Sequence, residues 1–189
     1  SNWNSQKYVL GIEVDSNAIN QAKQRFENKK YEFINADLNH YIYDNHNAGI
    51  ELSDINKLKV IKKNTFNTVS LQFCIHYFIQ NPKIFQNLLS SISDSLAIDG
   101  YLIGTSFDKQ KIDLALSNKK SIPDDIKSWY IKKLTSGNIE VFIRSIGIPH
   151  IENLLDYKYL HSMLIRAGLD LVEIKSFDSY PEYNQLNYN

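Results

Sequence analysis

The sequence predicts an α/β protein with a mostly parallel, doubly wound sheet, and two observations support this prediction. Short apolar segments rich in β-branched residues alternate along the chain with segments whose apolar residues recur at helical spacing. The apolar segments also end in polar or acidic residues, as buried parallel strands do where they leave a sheet. Strands that alternate with helices in this way form a parallel sheet with helices on both faces.

The first strand, helix and second strand are predicted near the start of the chain. Residues 8–14, "YVLGIEV", form a buried strand that ends at acidic residues, and residues 31–35, "YEFIN", form the second strand. Asp15 or Ser16 can cap the helix between them. The apolar face of this helix consists of Ala18, Ile19, Ala22 and Phe26.

The middle of the chain continues the alternation. Residues 66–73 are predicted to form the third strand, and a helix starts at Pro82 with an apolar stripe that ends at Gly100. Residues 101–107, "YLIGTSF", are the fourth predicted strand. The polar stretch 39–64 has weak periodicity, so we interpret it as a long excursion and assign it no chemistry.

The last third of the chain is less regular. Residues 108–136 are rich in lysine and favour no single element, whereas 139–147 are predicted to be a strand that leads into a loop. An amphipathic helix is predicted over 157–167, closed by Gly168. Residues 169–177, "LDLVEIKSF", are predicted to form a last strand.

Composition places limits on the function. The 189 residues are 43% hydrophobic, which is enough for one sizeable core, so we expect residues 1–189 to form a single domain. The 21 basic and 21 acidic residues balance, so a polyanion must be bound by local patches. Cys74 is the single cysteine, which favours a reducing, intracellular location, either the cytoplasm (or a virion) or the nucleus. No apolar run approaches the roughly 18 residues of a membrane span, so no membrane association is expected.

In the predicted sheet, polar side chains gather at the carboxyl ends of three strands. They are Glu13 after the first strand, Asp37 after the second, and Gln72, His76 and Tyr77 after the third. Ligands of such sheets bind at this edge. One carboxylate there can accept from both hydroxyls of a ribose, and a second can accept from the amine of adenine. The pattern therefore predicts a cofactor that contains adenosine.

Each of these residues also has a purely structural interpretation. Glu13 could be a helix cap or a solvated loop residue, and Asp37 could belong to a turn. His76 could be a hydrogen-bonded core histidine, and Tyr77 could pack beneath a loop. Only their joint occurrence favours a binding site.

Five segments of the chain carry a family resemblance. They are "GIEVDSNAINQAKQRF", "FINADL", "VSLQFCIHYF", "DGYLIGTSFD" and "IPHIENLLDY". In this order they resemble motifs of the mRNA cap guanine-N7 methyltransferases that use S-adenosylmethionine, in the form found in large DNA viruses. The resemblance covers residues 3–183, "QFCIHYF" is its specific motif, and it implies a Rossmann-like class I methyltransferase fold.

The resemblance implies a role for each matching residue. Glu13 would bind the ribose hydroxyls of the cofactor, Asp37 its adenine, and Gln72 and Phe73 its methionine part. Tyr77 and His76 would lie between the cofactor and the cap guanine, with Tyr77 contacting both ligands. Glu152 matches the glutamate that binds the edge of the guanine base, although it could also simply lie in the first turn of a helix, where the helix dipole favours an acidic residue.

The implied chemistry is methyl transfer to N7 of the cap guanine without an acid or base. N7 offers a lone pair and loses no proton, so His76, Tyr77 and Glu152 would act by positioning the reactants. No metal is expected. Capped RNA would be the substrate, with guanylyltransferase and triphosphatase domains as possible partners on the same polypeptide or in a complex.

The chain also departs from the family pattern. The family opens with a strand and a glycine-rich cofactor loop, whereas this chain starts at "SNWNSQK", with Trp3 in the place that follows that loop. We therefore expect the domain to be incomplete, with its first and last strands outside this chain, unless another segment fills the gap between 8–14 and 66–73. Two other functions stay open: a catalytically silent subunit that stabilises a capping partner, and a methyltransferase for a small molecule or another RNA site.

Overall fold

The structure is a computed structural model that describes residues 8–26, 30–44, 61–123 and 128–180. Its elements, in chain order, are β1 (Val9–Glu13), α1 (Ser16–Arg25), β2 (Tyr31–Asn35), β3 (Phe66–Gln72), α2 (Pro82–Ser95), β4 (Leu96–Thr105), α3 (Lys109–Ala115), β5 (Ser121–Ile122), β6 (Trp129–Lys133), β7 (Ile139–Ile143), β8 (His150–Glu152) and α4 (Tyr157–Arg166). Trp3 lies outside the described residues. Within them, no helix has the length and hydropathy that crossing a bilayer requires.

Two pairs of parallel strands form the part of the fold that the sequence predicted. β1 pairs with β2 so that Glu13 lies opposite Asn35, and β3 pairs with β4 so that Gln72 lies opposite Thr105. Among the described residues no strand joins β1 to β3. The gap expected between these two strands stays a prediction, because part of the chain lies outside the described residues.

The two parallel pairs lie side by side in the same direction. At their amino ends, the rings of Tyr8 and Phe66 have centroids 6.3 Å apart. At their carboxyl ends, burial raises the pKa of the Cys74 thiol, and the negative charge of Glu13 raises it further. The ends of β1 and β3 therefore reach the same edge of the fold, where a ligand can touch both.

Helix α2 supplies the centre of the core. The side chain of Asn81 caps it by accepting from the amides of Lys83 and Ile84, at 2.9 and 3.3 Å. Its buried face packs against the inner side of β3, against β4 and against α4. The buried residues of this core are Leu71, Ile75, Phe85, Leu88, Leu89, Ile92, Leu96, Leu155 and Met163.

The sequence prediction placed the end of this helix too late. The helix ends at Ser95, and Leu96 already has extended backbone and begins β4. Gly100 lies inside that strand, where a Cβ would be 2.9 Å from the carbonyl oxygen of Ala97 and 3.1 Å from that of Phe66. The glycine therefore permits a close backbone approach and does not end the helix.

The segment after β2 is bound to the outer face of α2. The amide of Ile42 donates to the hydroxyl of Ser91 at 3.0 Å, and the side-chain amide of Asn87 donates to the carbonyl of Asn39 at 2.8 Å. Lys63 donates to Asp94 at 2.7 Å and lowers the pKa of that carboxyl. Residues 39–44 and 61–64, the described parts of the predicted excursion, are thus held by α2. Residues 45–60 lie outside the described part.

A second sheet, which the sequence did not predict, follows the parallel pairs. Strands β5 to β8 are antiparallel neighbours in chain order, so the prediction of a mostly parallel sheet is wrong for this part. The connection between β6 and β7 contains Gly137 at φ 85° and is too short for the crossover that a parallel pair needs. Buried residues on its inner face are Ile131, Ile139 and Val141, which pack with Leu116.

The predicted last strand, residues 169–177, is also wrong. These residues belong to no described strand, and a short 3-10 turn, Phe177–Ser179, follows. A strand needs a neighbouring strand for its backbone groups, and no strand of the described ranges pairs with this segment. Its apolar residues Leu171, Val172 and Ile174 consequently remain exposed.

We expect Leu155→Ala to lower the free energy of unfolding by about 2–5 kcal/mol, because its side chain fills the core beside α2 and α4. Leu155 is 3% exposed, whereas Leu114 is 77% exposed and offers a matched control. Denaturant unfolding of both variants measures the difference. Similar losses for the two leucines would contradict the described core.

Candidate ligand-binding site

Glu13 is the last residue of β1 and lies at the carboxyl edge of the parallel strands. Its Oε1 accepts from the backbone amides of Val14 and Asp15, at 2.7 and 3.1 Å. Asp15, and not Glu13, caps α1, by accepting from the amide of Asn17. Because Oε1 is occupied by the turn, an external hydroxyl would bind at Oε2.

Asp37 lies two residues beyond β2, at the same edge as Glu13. Its Oδ1 accepts from the amide of Asn39 at 2.9 Å, so the turn role considered for this residue is real. The carboxylate is half-buried, and one oxygen suffices for the turn. Its second oxygen is the one that a ligand amine would contact.

Gln72 and Phe73 end β3 and are bound to the end of β4. The Gln72 amide donates to the hydroxyl of Ser70 at 3.0 Å, and its carbonyl accepts from the hydroxyl of Thr105 at 3.1 Å. The amide of Phe73 donates to the carbonyl of Thr105 at 3.0 Å. These bonds place both residues at the edge shared with Glu13.

Phe73 has an unusual backbone conformation. Its φ is 50°, in the left-handed region, which costs a non-glycine residue about 1–3 kcal/mol. The bond to Thr105 holds this turn, and the half-exposed ring lies against Phe107 and Phe177, with centroids 5.9 and 6.2 Å away. The strained turn directs the chain from β3 into the segment that carries His76 and Tyr77.

His76 and Tyr77 lie on a three-residue 3-10 turn, Ile75–Tyr77, directly after Phe73. The His76 ring is buried, with 1% of the residue exposed, whereas Tyr77 is 53% exposed. Their ring centroids are 4.2 Å apart. One residue of the turn therefore faces the interior and the next faces the edge.

Glu152 reaches this turn from the distant end of the antiparallel sheet. It ends β8, opposite Ile139, and is 8% exposed. Its Oε1 accepts from the hydroxyl of Tyr77 at 3.1 Å, and its Oε2 contacts Nε2 of His76. Glu152 follows Tyr77 by 75 positions in the sequence, and it forms one polar cluster with Tyr77 and His76.

The structure decides between the interpretations of these three residues. Glu152 is in a strand and not in the first turn of a helix, since α4 begins at Tyr157 with Asp156 as its cap. Nδ1 of His76 is buried without a hydrogen-bond partner, so His76 is not a fully hydrogen-bonded core histidine. Tyr77 does not pack beneath a loop, because about half of it is exposed.

The buried carboxylate changes the acidity of its neighbour. Burial raises the pKa of Tyr77 to about 12, and the charge of Glu152 and its hydrogen bond act in the same direction. The phenol therefore stays protonated at neutral pH and donates to the carboxylate. The cluster places the Glu152 carboxylate at the edge where the strand ends converge.

The sequence analysis did not identify three residues that support the site. Thr105 binds both Gln72 and Phe73, and it could have been found because it lies near the end of the fourth predicted strand. Asn153 and Gln80 contact each other beside the 3-10 turn, and no sequence pattern indicated that pair. The described residues contain no group of three histidine, cysteine or acidic side chains that could hold a metal ion.

We expect Glu152→Gln to lower the pKa of Tyr77, because the neighbouring negative charge is lost. Burial, the largest cause, remains, so the pKa should stay above its ordinary value of 10.0. An NMR titration of ¹³C-labelled tyrosine, assigned with Tyr77→Phe, measures this change. Glu140→Gln, which removes the acceptor of Tyr130 instead, is the matched control. A Tyr77 titration that is unchanged in Glu152→Gln would refute the contact.

Comparison with known proteins agrees with these observations. Residues 3–138 match the family of mRNA (guanine-N(7))-methyltransferase domains. The chain is 26% identical to a probable mRNA-capping enzyme of Acanthamoeba polyphaga mimivirus, over 97% of this chain and 19% of that protein. It is 30% identical to an mRNA cap guanine-N(7) methyltransferase of Schizosaccharomyces pombe, over 64% of this chain and 30% of that protein. It therefore spans less than a third of the length of these curated relatives.

A solved structure supports the predicted fold class. An S-adenosylmethionine-dependent methyltransferase from Clostridium acetobutylicum aligns with a TM-score of 0.59 at 13% identity, over 90% of this chain and 71% of that one. The Rossmann-like class I methyltransferase fold implied by the sequence is thereby confirmed. Because the family match extends over well more than half of the residues, the chain belongs to the mRNA (guanine-N(7))-methyltransferase family.

Proposed function

We propose that this chain transfers a methyl group from S-adenosylmethionine to N7 of the guanine cap at the 5′ end of mRNA. The observation that supports this function best is the buried carboxylate of Glu152 beside His76 and Tyr77 at the carboxyl edge of the parallel strands. A buried charge costs free energy unless it has partners, so its place at an open edge favours a binding role.

Guanine is the base whose edge matches this carboxylate. Its N1–H and N2 amine form a pair of adjacent donors, which adenine does not possess, and a carboxylate can accept from both. Oε2 of Glu152 is buried against His76, whereas Oε1 is held by the hydroxyl of the exposed Tyr77. Guanine would therefore donate to Oε1, either beside the Tyr77 hydroxyl or in place of it.

The residues at the strand ends fit the cofactor. Glu13 and Asp37 each use one carboxylate oxygen in a turn, which leaves the other for ribose hydroxyls and for the adenine amine. Gln72 and Phe73 would lie against the methionine part, and Tyr77 would lie between the two ligands. When bound, the cofactor supplies a methyl group activated by a positively charged sulfur.

The reaction needs no proton transfer from the protein. Guanine N7 has a free lone pair, so His76, Tyr77 and Glu152 contribute by holding the base in line with the methyl donor. Orientation of two reactants is worth about 7–11 kcal/mol, which is enough for a mechanism without a general base.

A catalytically silent subunit is the second candidate function. Such a subunit would have no use for a buried carboxylate next to an unpartnered imidazole nitrogen, because this arrangement opposes stability. A methyltransferase for a small molecule or another RNA site would not need a carboxylate suited to the guanine edge. The cluster around Glu152 therefore favours the cap methyltransferase over both.

We further propose that the domain works beside other capping activities. The mimivirus relative is described as a probable mRNA-capping enzyme, and the chain corresponds to 19% of its length. Guanylyltransferase and triphosphatase domains on the same polypeptide or in a complex would supply the capped RNA that this chain methylates.

The proposed activity is tested by methyl transfer from labelled S-adenosylmethionine. We expect GpppA-capped RNA to accept the label and uncapped RNA of the same sequence to accept none. Equal labelling of the two RNAs would point to another RNA site, and labelling of neither would favour the silent subunit.

We expect Asp37→Ala to weaken S-adenosylmethionine binding much more than cap binding. A hydrogen bond to a charged group is worth about 1.5–3 kcal/mol, and on this proposal only the cofactor receives one from Asp37. Asp37→Asn is the control, because it keeps an oxygen for the amide of Asn39 but removes the charge. Calorimetry measures the affinity of each variant for the cofactor and for the cap. Equal losses of affinity for the two ligands would count against the assignment, and so would a loss of cofactor affinity in Asp37→Ala but not in Asp37→Asn.

Glu152→Gln should weaken transition-state binding of the cap by about 2–4 kcal/mol, which slows methylation, and it should leave cofactor affinity unchanged. Glutamine carries no charge, so the guanine edge loses a charge-assisted hydrogen bond, and the amide NH2 group must replace one oxygen, either at the guanine edge or beside His76. The matched control is Glu140→Gln, since Glu140 also accepts from a tyrosine hydroxyl, in the antiparallel sheet. Single-turnover methylation and a thermal melt are measured together, and methylation within a few-fold of the parent would refute guanine recognition by Glu152.

A further inference from the structure

Asn153 binds the same 3-10 turn as Glu152. Its side chain contacts the backbone of the turn, whereas Glu152 contacts the side chains. The Asn153 side-chain amide donates to the carbonyl of His76 at 3.2 Å. Its side-chain oxygen accepts from the amide of Gln80, which lies just beyond the turn. Two consecutive residues, Glu152 and Asn153, thus hold His76 from both sides, one at the ring and one at the main chain.

The carbonyl of His76 needs this partner. Within the turn, the amides of Tyr77 and Phe78 donate to the carbonyls of Cys74 and Ile75, and no backbone amide of the described residues donates to the carbonyl of His76. The last carbonyls of a helical turn have no partner within it. Asn153 therefore completes the turn that carries the two site residues.

The imidazole of His76 lacks the contact that normally fixes its orientation. A histidine that acts through one ring nitrogen is usually oriented by a hydrogen bond at the other. Nδ1 of His76 is buried without a partner, so the contact of Nε2 with Glu152 is the one polar contact that orients the ring among the described residues, together with packing against Tyr77 and the position of its own backbone. The backbone position is what Asn153 fixes.

Packing alone does not account for Asn153. Leu155, two residues later, already anchors this segment in the main core. Asn153 is only partly buried and contributes two polar contacts to one turn. Removing the Asn153 side chain should consequently change the geometry of the site and only slightly lower the free energy of unfolding.

We propose that Asn153, held in place by Gln80, is a positioning residue for the guanine site. It fixes the backbone of His76 so that the imidazole holds Oε2 of Glu152 and leaves Oε1 toward the ligand. This role rests on the proposed function, because the ligand that Glu152 receives is the cap guanine. Asn153 itself touches neither the guanine nor the cofactor.

The test compares Asn153→Ala with Asn87→Ala in the full chain. Asn87 is a matched control, since its side-chain amide also donates to a distant backbone carbonyl, that of Asn39. We expect Asn153→Ala to raise the KM for GpppA-capped RNA about 3- to 10-fold, the range of one net hydrogen bond, with the KM for S-adenosylmethionine unchanged. Asn87→Ala should leave the KM for capped RNA unchanged. Equal effects of the two variants, or an unchanged KM for capped RNA, would overturn the proposal.

A double substitution tests whether Gln80 acts through Asn153. Gln80→Ala should give a smaller change in the same direction, and Gln80→Ala combined with Asn153→Ala should be no worse than Asn153→Ala alone. Additive losses would show that Gln80 acts independently, which would overturn its part in the proposal.

A spectroscopic readout separates this proposal from the proposed function. If Asn153 positions the cluster, Asn153→Ala should lower the Tyr77 pKa in the ¹³C-tyrosine titration, because the contact between Tyr77 and Glu152 loosens. This result does not depend on methylation. Failure of the parent chain to methylate capped RNA refutes the function alone, whereas an unchanged Tyr77 titration in Asn153→Ala refutes the positioning role alone.

Discussion

The contact of the Glu152 carboxylate with His76 and Tyr77 is the interaction on which the rest of the site depends. It joins the antiparallel sheet, which ends at Glu152, to the turn that follows β3. A carboxylate that is 8% exposed would be costly without polar partners, and here Tyr77 donates to it while the His76 ring lies against it. The contact therefore fixes how the two sheets meet, and it places a negative charge at the edge where a guanine can be recognised.

The scaffold around this contact consists of strand ends that are held by local hydrogen bonds. Glu13 and Asp37 each bind the turn that follows their strand, and Thr105 binds the end of β3. The bonds of Glu13 and Asp37 each use one oxygen of the carboxylate. Each strand end is thus held in place while it keeps an oxygen for a ligand, which is the arrangement that a site working by positioning requires.

Much of the site could be predicted from the sequence because its residues lie at strand ends. Glu13, Asp37 and Gln72 lie where a parallel strand stops, and that position follows from the apolar pattern alone. Glu152 was assigned through the family resemblance, since nothing in its own segment excluded the first turn of a helix. Asn153 and Gln80 were missed because each is an ordinary polar residue in a loop, and their contact depends on how two distant segments cross.

The sequence by itself determined the elements whose patterns are local: β1, α1, β2, β3 and the start of α2, which follow from apolar periodicity and from caps such as Asp15 and Asn81. It also determined the family, through the spacing of "QFCIHYF". Only the tertiary structure decided the antiparallel pairing of β5 to β8, the absence of a ladder over residues 169–177, and the meeting of Glu152 with His76. The physical reason is that strand pairing and buried polar contacts depend on partners far away in the chain, and a local pattern does not specify which partner is available.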